Sequence, residues 1–346
     1  MPHITLPAEW APQSGIMLTW PHKHSDWQPW LSQVEPVFAD IAYHSAERQR
    51  VLISCYDQTH LAHVESCLRM RKAKLSNIDL RIVESNDTWA RDHGPITIQQ
   101  DDTAKLLDFG FNGWGDKYDS DLDNLISEKL YQQHAFADLA FESIDLVLEG
   151  GSIESDGQGT LLTTSQCLLT PSRNPGLTQT QIEQKLKQTL GIEHFLWLHH
   201  GYLSGDDTDS HIDTLARFCD PSTICYVQCN DKNDEHFVEL QAMEAELSQL
   251  KTAQGQAYNL VALPMVGAKH NDDGERLPAT YANFLIINGA VLAPSYQDPA
   301  DKLALAQLAQ CFPNHEIIAI DCLPLVYQYG SLHCVTMQLP FGVLAS

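Results

Sequence analysis

Asn288-Gly289 stands between the apolar runs 284–287 and 290–292, and Asn-Gly in that setting is the strongest short-range signal for a tight hairpin with a primed turn. A second turn, Ser155-Asp156-Gly157-Gln158-Gly159, separates the runs 151–154 and 160–164. Between such hairpins the apolar residues recur at helical spacing over 28–48, 58–74, 119–134, 177–190, 234–252 and 299–311. Strand-like runs rich in Val, Ile, Leu and Thr occupy 50–55, 78–83, 144–148, 160–164, 223–228, 284–294 and 316–320. A doubly wound sheet joins its strands by helical crossovers, so recurrent hairpins argue against it. A mixed α/β chain built from a repeated small unit of strands and one helix fits better. No repeat is visible in the sequence and no Pro/Gly/Ser-rich linker divides it, which predicts one domain over residues 1–346.

Charge narrows the partners. The chain has 21 Lys+Arg against 45 Asp+Glu, a net charge of −24, so it lacks the clustered cations that neutralise nucleic-acid phosphates. The one dense basic run, Arg69, Arg71, Lys72 and Lys74, reads as the cationic end of a surface helix. No apolar stretch reaches the ~18 residues of a membrane helix, and the first ten residues carry no signal-peptide pattern. Nine scattered cysteines, an odd number in a long chain, suit a reducing compartment. The expectation is a soluble cytoplasmic protein, with homo-oligomerisation left open.

Chemistry concentrates in four segments. In Trp89-Ala-Arg-Asp-His-Gly-Pro95 the Gly-Pro pair ends an element, which puts Asp92 at a strand end or loop facing a cleft; the competing reading is an Asp92–Arg91 ion pair. In Leu148-Glu-Gly-Gly-Ser152 the paired glycines permit close backbone approach around Glu149, or else mark a β-bulge with an exposed Glu. Gly205-Asp-Asp-Thr-Asp-Ser-His-Ile-Asp213 holds four acidic residues and one His in nine positions; on an extended strand His211 and Asp213 face the same side. It is not a calcium loop, because counting from Asp206 the positions that need Gly and Glu are His211 and Arg217. No metal or other cofactor is expected. Gly330-Ser-Leu-His-Cys-Val-Thr336 places Cys334 after a Gly-Ser turn and a His, unlike the other eight thiols; Cys225 and Cys229 read as strand core.

A Cys and a His alone would serve acyl transfer, but carboxylates repel an oxyanion. They suit a guanidinium, whose forked N–H donors match carboxylates two at a time. Thiolate attack on a guanidinium carbon is the chemistry that uses every part, with a small cationic guanidino compound as substrate.

These segments, with Pro7-Ala-Glu-Trp10, Leu18-Thr-Trp-Pro-His22, Phe111-Asn-Gly-Trp-Gly115 and Ala279-Thr-Tyr-Ala-Asn-Phe284, resemble in order the agmatine deiminases and bacterial-type peptidylarginine deiminases of the guanidine-modifying superfamily. The resemblance implies a single-domain five-bladed α/β propeller, the pentein fold, with the active site in a central channel; with six helices, one would be additional to the repeat. It also implies Cys334 as nucleophile, His211 as general acid and base, Asp92 and Asp213 as guanidinium clamp, and Glu149 as partner of His211. Trp89 would wall the alkyl chain, and Asp207 and Asn283 would contact the far end. The implied reaction takes agmatine to N-carbamoylputrescine and ammonia, a step toward putrescine, through a covalent thiouronium on Cys334. Deimination of peptidylarginine or another guanidine, amidino transfer, and non-enzymatic guanidine binding are the alternatives. Ser210, Ser331 and Asp116 depart from glycines common in that family.

Overall fold

The computed structural model describes residues 3–101 and 103–345. Five of its sheets share one plan: an antiparallel pair of strands, then a helix, then a third strand parallel to the second. Ile96–Gln100 and Thr103–Gly110 pair antiparallel, and the helix Ile126–Gln132 leads to Ala140–Val147. Ile153–Ser155, Thr160–Thr164 and His194–Leu198 repeat this around the helix Gln179–Leu190. Ala216–Asp220, Thr223–Gln228 and Asn259–Pro264 do so around Phe237–Leu247. Leu285–Ile287, Ala290–Ser295 and Glu316–Asp321 do so around Asp301–Cys311. In the fifth sheet the antiparallel partner comes from the far end of the chain. Thr336–Pro340 pairs with Gln13–Thr19, and the helix Leu31–Ala46 then carries the chain to Arg50–Cys55.

The helix beyond the repeat is Gln58–Arg71, which delivers a fourth, edge strand, Ile78–Ile82, to the fifth sheet. Asp57 caps it by accepting from His60 N at 2.7 Å, and it ends at Lys72 in the left-handed region. As expected, the basic run closes this helix, with Arg69 on Glu65 and Arg71 on Asp40. The helix Gln179–Leu190 has the local signals of a well-bounded element: a capping box of Thr178 with Gln181, and Gly191 at φ 73° after its last turn.

Two local expectations need correction. Helical spacing over 119–134 yields a helix only from Ile126, because the Asp123 carboxylate is taken by the backbone N–H groups of Asn86 and Asp87, 2.7 and 3.1 Å away. The hairpin at Asn288-Gly289 forms with a two-residue loop, but only Gly289, at φ 72°, has a positive φ, so the turn is not primed. Asn288 is instead recruited by the neighbouring fifth sheet. Its side chain donates to Gln13 O at 2.8 Å and accepts from Gln13 N at 3.1 Å, which outweighs the turn preference.

Apolar side chains gather in one large core cluster and two smaller ones, and Cys225 and Cys229 are buried in the large one, as expected. Among the described residues no helix is long and apolar enough to cross a membrane.

Candidate active site

The five sheets bring one set of residues together because each contributes from the same place, the short segment just before its first antiparallel strand. Asp92 lies on the single turn Ala90–His93 before Ile96–Gln100, and Glu149 precedes the turn Gly150–Ser152 before Ile153–Ser155. His211 and Asp213 flank the start of the turn Ile212–Thr214 before Ala216–Asp220. Asn283 lies two residues before Leu285, and Cys334 two before Thr336.

His211 and Asp213 meet the site by a tight turn rather than along an extended strand. Asp206 makes this turn: its carboxylate accepts from Thr208 Oγ1 at 2.5 Å and from Ser210 N at 2.6 Å, driving Asp209 and Ser210 both to φ 64°. The other acidic residues of the segment divide the work. Asp209 pairs with Lys117 and Arg173, Asp207 accepts from Tyr118 Oη at 2.8 Å, and Asp213 enters the site. Ser210 and Asp116, two of the departures from the family glycines, both sit at positive φ, 64° and 62°, where glycine is free of the Cβ penalty.

Asp92 does not pair with Arg91. Its Oδ1 accepts from Gly151 N and its Oδ2 from Trp114 Nε1, each at 3.0 Å, while Arg91 turns away toward Glu9, Gln338 and the His333 carbonyl. His211 Nδ1 lies 3.6 Å from Asp92 Oδ1. Asp213 Oδ2 binds His333 Nδ1 at 2.7 Å, whereas Asp213 Oδ1 and His211 Nε2 are buried without a hydrogen-bond partner among the described residues. Cys334 Sγ lies 3.8 Å from Asp213 Oδ2 and 3.4 Å from Asn283 Oδ1.

Both glycines after Glu149 are there for close approach, not for backbone freedom, since neither has a positive φ. A Cβ on Gly150 would strike the Arg91 carbonyl, and one on Gly151 would lie 2.6 Å from His211 Nδ1, 2.9 Å from Asp92 Oδ1 and 3.1 Å from Asp213 Oδ2. Glu149 is fully buried, which rules out the exposed bulge. It is not hydrogen-bonded to His211: its Oε1 accepts from Arg173 Nε at 2.7 Å, and a Glu149 oxygen and a His211 ring nitrogen lie within 4.8 Å of each other.

A narrow cavity opens onto Cys334 and Asp92. Trp89 walls it, held by Nε1 on Asp87 Oδ2 at 2.8 Å and packed so closely on Gly330 that no side chain fits there. Asp207 lines it together with Asp26, Asp87 and Asp206, and among the described residues no Lys or Arg lines it. Asn283 does not reach the far end as expected. It is fully buried beneath the cysteine, where its Oδ1 accepts from His333 N at 2.9 Å and Cys334 N at 3.3 Å, because its place before Leu285 sets it against the segment that carries the cysteine.

Burial dominates the electrostatics. It pushes the Cys334 thiol well above its ordinary range, with Asp213 and Asp92 adding to the effect, and it brings His211 down to about 3. Burial likewise raises Asp92 far above the usual carboxylate range, helped by Asp213 and Glu149. Burial opposes ionisation of Asp213 too, yet its hydrogen bond to His333 and that group's charge hold it below the ordinary value. The unliganded site therefore keeps its thiol protonated and its His211 imidazole neutral.

Residue types alone did not single out Glu9 or His333. Both lie inside segments noted in the sequence, but an isolated Glu near a terminus and a His beside the striking-distance Cys carry no signal of pairing across 324 positions.

The chain is also similar to known proteins. The family model for Porphyromonas-type peptidyl-arginine deiminase matches residues 5–340. The agmatine deiminase of Stutzerimonas stutzeri is 34% identical, over 97% of this chain and 95% of its own. A Porphyromonas gingivalis structure, provisionally named an arginine deiminase, is 47% identical with TM-score 0.92, covering 99% of this chain and 100% of its own. The substrate-bound structure of a Cys-to-Ser variant of C. jejuni agmatine deiminase is 38% identical with TM-score 0.90, covering 98% and 97%.

Proposed function

Because the chain belongs to the Porphyromonas-type peptidyl-arginine deiminase family, we propose that it is a deiminase that hydrolyses agmatine to N-carbamoylputrescine and ammonia on the way to putrescine. We read its five like-built sheets as the blades of one propeller-shaped catalytic domain, with the site in the central channel. Nine cysteines, none in a disulfide among the described residues, suit a reducing cytoplasm.

One observation carries the reading: a thiol, an imidazole and two carboxylates converge in a buried site whose cavity is lined by acidic groups. A guanidinium entering between Asp92 and Asp213 finds Asp213 Oδ1 free to accept, and its charge opposes the burial and the two carboxyl groups that together hold the Cys334 thiol protonated. The thiol then gives its proton to His211, and Sγ attacks the guanidinium carbon. His211 protonates the departing amine, ammonia leaves, and a thiouronium on Cys334 remains. Neutral His211 next takes a proton from water as its oxygen bonds to the same carbon; the C–S bond then breaks as His211 returns that proton to sulfur and the hydroxyl proton passes to solvent, which releases the ureido product and restores the thiol. Holding the carbon in line with Sγ can contribute up to roughly 7–11 kcal/mol.

The cavity also favours agmatine over arginine. The far ammonium of agmatine would meet Asp207, whereas the arginine carboxylate would meet acidic groups with no Lys or Arg among the described residues that line the cavity. The test is ammonia release from agmatine, free arginine, peptidylarginine and methylated arginines. Agmatine is expected to lead free arginine by at least about a hundredfold in kcat/KM; faster turnover of arginine or peptidylarginine would overturn the substrate while leaving the Cys334 chemistry standing.

A further inference from the structure

Behind the Asp213 carboxylate lies a second buried polar group that the reaction itself does not use. His333 is 1% exposed and meets a carboxylate on each side: Nδ1 lies 2.7 Å from Asp213 Oδ2, and Nε2 lies 2.6 Å from Glu9 Oε2. A carboxylate only accepts, so hydrogen bonds on both sides require both ring nitrogens to donate. Glu9 is fixed in turn, Oε1 by Ile286 N at 2.7 Å and Oε2 also by Arg217 Nη2 at 2.9 Å. Next in the chain to His333 is Cys334, and both backbone N–H groups bind Asn283 Oδ1.

We infer that Glu9 and His333 are positioning residues: Glu9 keeps His333 a two-sided donor, and His333 then pins Asp213 Oδ2, leaving Oδ1 as the oxygen presented to the guanidinium. The inference rests on the clamp role proposed for Asp213. It gives the Pro7-to-Trp10 segment a function in the site and explains why a carboxylate buried beside Asp92 and Cys334 stays ionised. The groups facing Asp213 from the packed elements are His333, Cys334, Asp92, His211, Asp206, Arg91 and Arg217, with Glu9 and Glu154 next to them. Only His333 among them hydrogen-bonds Asp213 Oδ2 through a ring or guanidinium nitrogen. Without that donor, burial would drive Asp213 toward its neutral form.

The test pairs two readouts. Histidine-selective nitrogen NMR of the full-length protein is expected to show both nitrogens of His333 protonated at neutral pH, and only one in Glu9→Gln. Calorimetric binding of agmatine to the Cys334→Ser protein, followed against pH, is expected to weaken on acidification, with the acid limb about one pH unit or more nearer neutral when Glu9→Gln is added. Affinity should recover toward that of the parent at alkaline pH. A merely structural defect would lower binding evenly at every pH. Should Glu9→Gln fail to fold, His333→Gln, which keeps a neutral donor toward Asp213, carries the same expectation. A singly protonated His333 in the unmutated protein, or unshifted acid limbs in the folded variants, would overturn the inference. Absence of agmatine binding with His333 doubly protonated and Glu9-dependent would instead overturn the substrate reading alone.

Discussion

Gly151→Ala is the sharpest test of the site, because it adds one methyl group among three working atoms without straining the backbone. The new carbon would lie 2.6 Å from His211 Nδ1, 2.9 Å from Asp92 Oδ1 and 3.1 Å from Asp213 Oδ2. Ordinary contact begins at about 3.5 Å, so the imidazole must retreat by roughly 0.9 Å or the carboxylates must part. A displacement of about 1 Å in a reacting geometry costs about a hundredfold in rate, or about 2.7 kcal/mol in the barrier. Overpacking costs about 1–3 kcal/mol of stability, and the smaller freedom of the unfolded alanine chain offsets about 0.4–1 kcal/mol of that. The variant is therefore expected to fold, melt within a few degrees of the parent, and lose about a hundredfold or more in kcat/KM for agmatine, measured by coupled ammonia release. Gly150→Ala is the control: its methyl would strike the Arg91 carbonyl, so stability is expected to fall more than activity per folded molecule. A folded Gly151→Ala enzyme within about threefold of the parent rate would refute the placement of His211 and Asp92 in the reaction.

Other expectations follow from single contacts. Cys334→Ser should abolish turnover with an unchanged melting curve, since serine fills the same buried space without a thiolate; residual activity near the parent rate would shift the nucleophile elsewhere. Asp207, raised by burial to about 6, loses its charge as pH falls through that value, so KM for agmatine should rise about tenfold between about pH 7 and pH 5. Asp207→Asn should raise KM at neutral pH and flatten this limb; coincident profiles would exclude contact with the far ammonium. Ser210→Gly should stabilise the protein by about 0.5–1 kcal/mol, or about 1 °C in melting temperature, because Ser210 holds φ 64° with a buried hydroxyl lacking a partner among the described residues, a gain partly offset by the greater freedom of glycine in the unfolded chain. A lower melting temperature would show that the turn depends on the serine.

The sequence by itself determined the alternation of hairpins with helices, several strands to the residue, and the segments that carry the chemistry. Arg50–Cys55, Thr160–Thr164 and Thr223–Gln228 are legible because β-branched periodicity and turn residues are local signals. Tertiary structure decided where contacts over long separation compete with local preference. Asn288 abandons the primed turn for Gln13, Asp123 delays the start of a helix to hold Asn86 and Asp87, and Asn283 turns under the cysteine. The site itself belongs to this second class. Its residues converge because five segments occupy equivalent places before five strands, an equivalence of hydrogen-bonded topology with no counterpart in residue identity. The Glu9–His333–Asp213 chain was equally hidden, since a buried charge reveals its partner only when packing removes the water that would otherwise have solvated it.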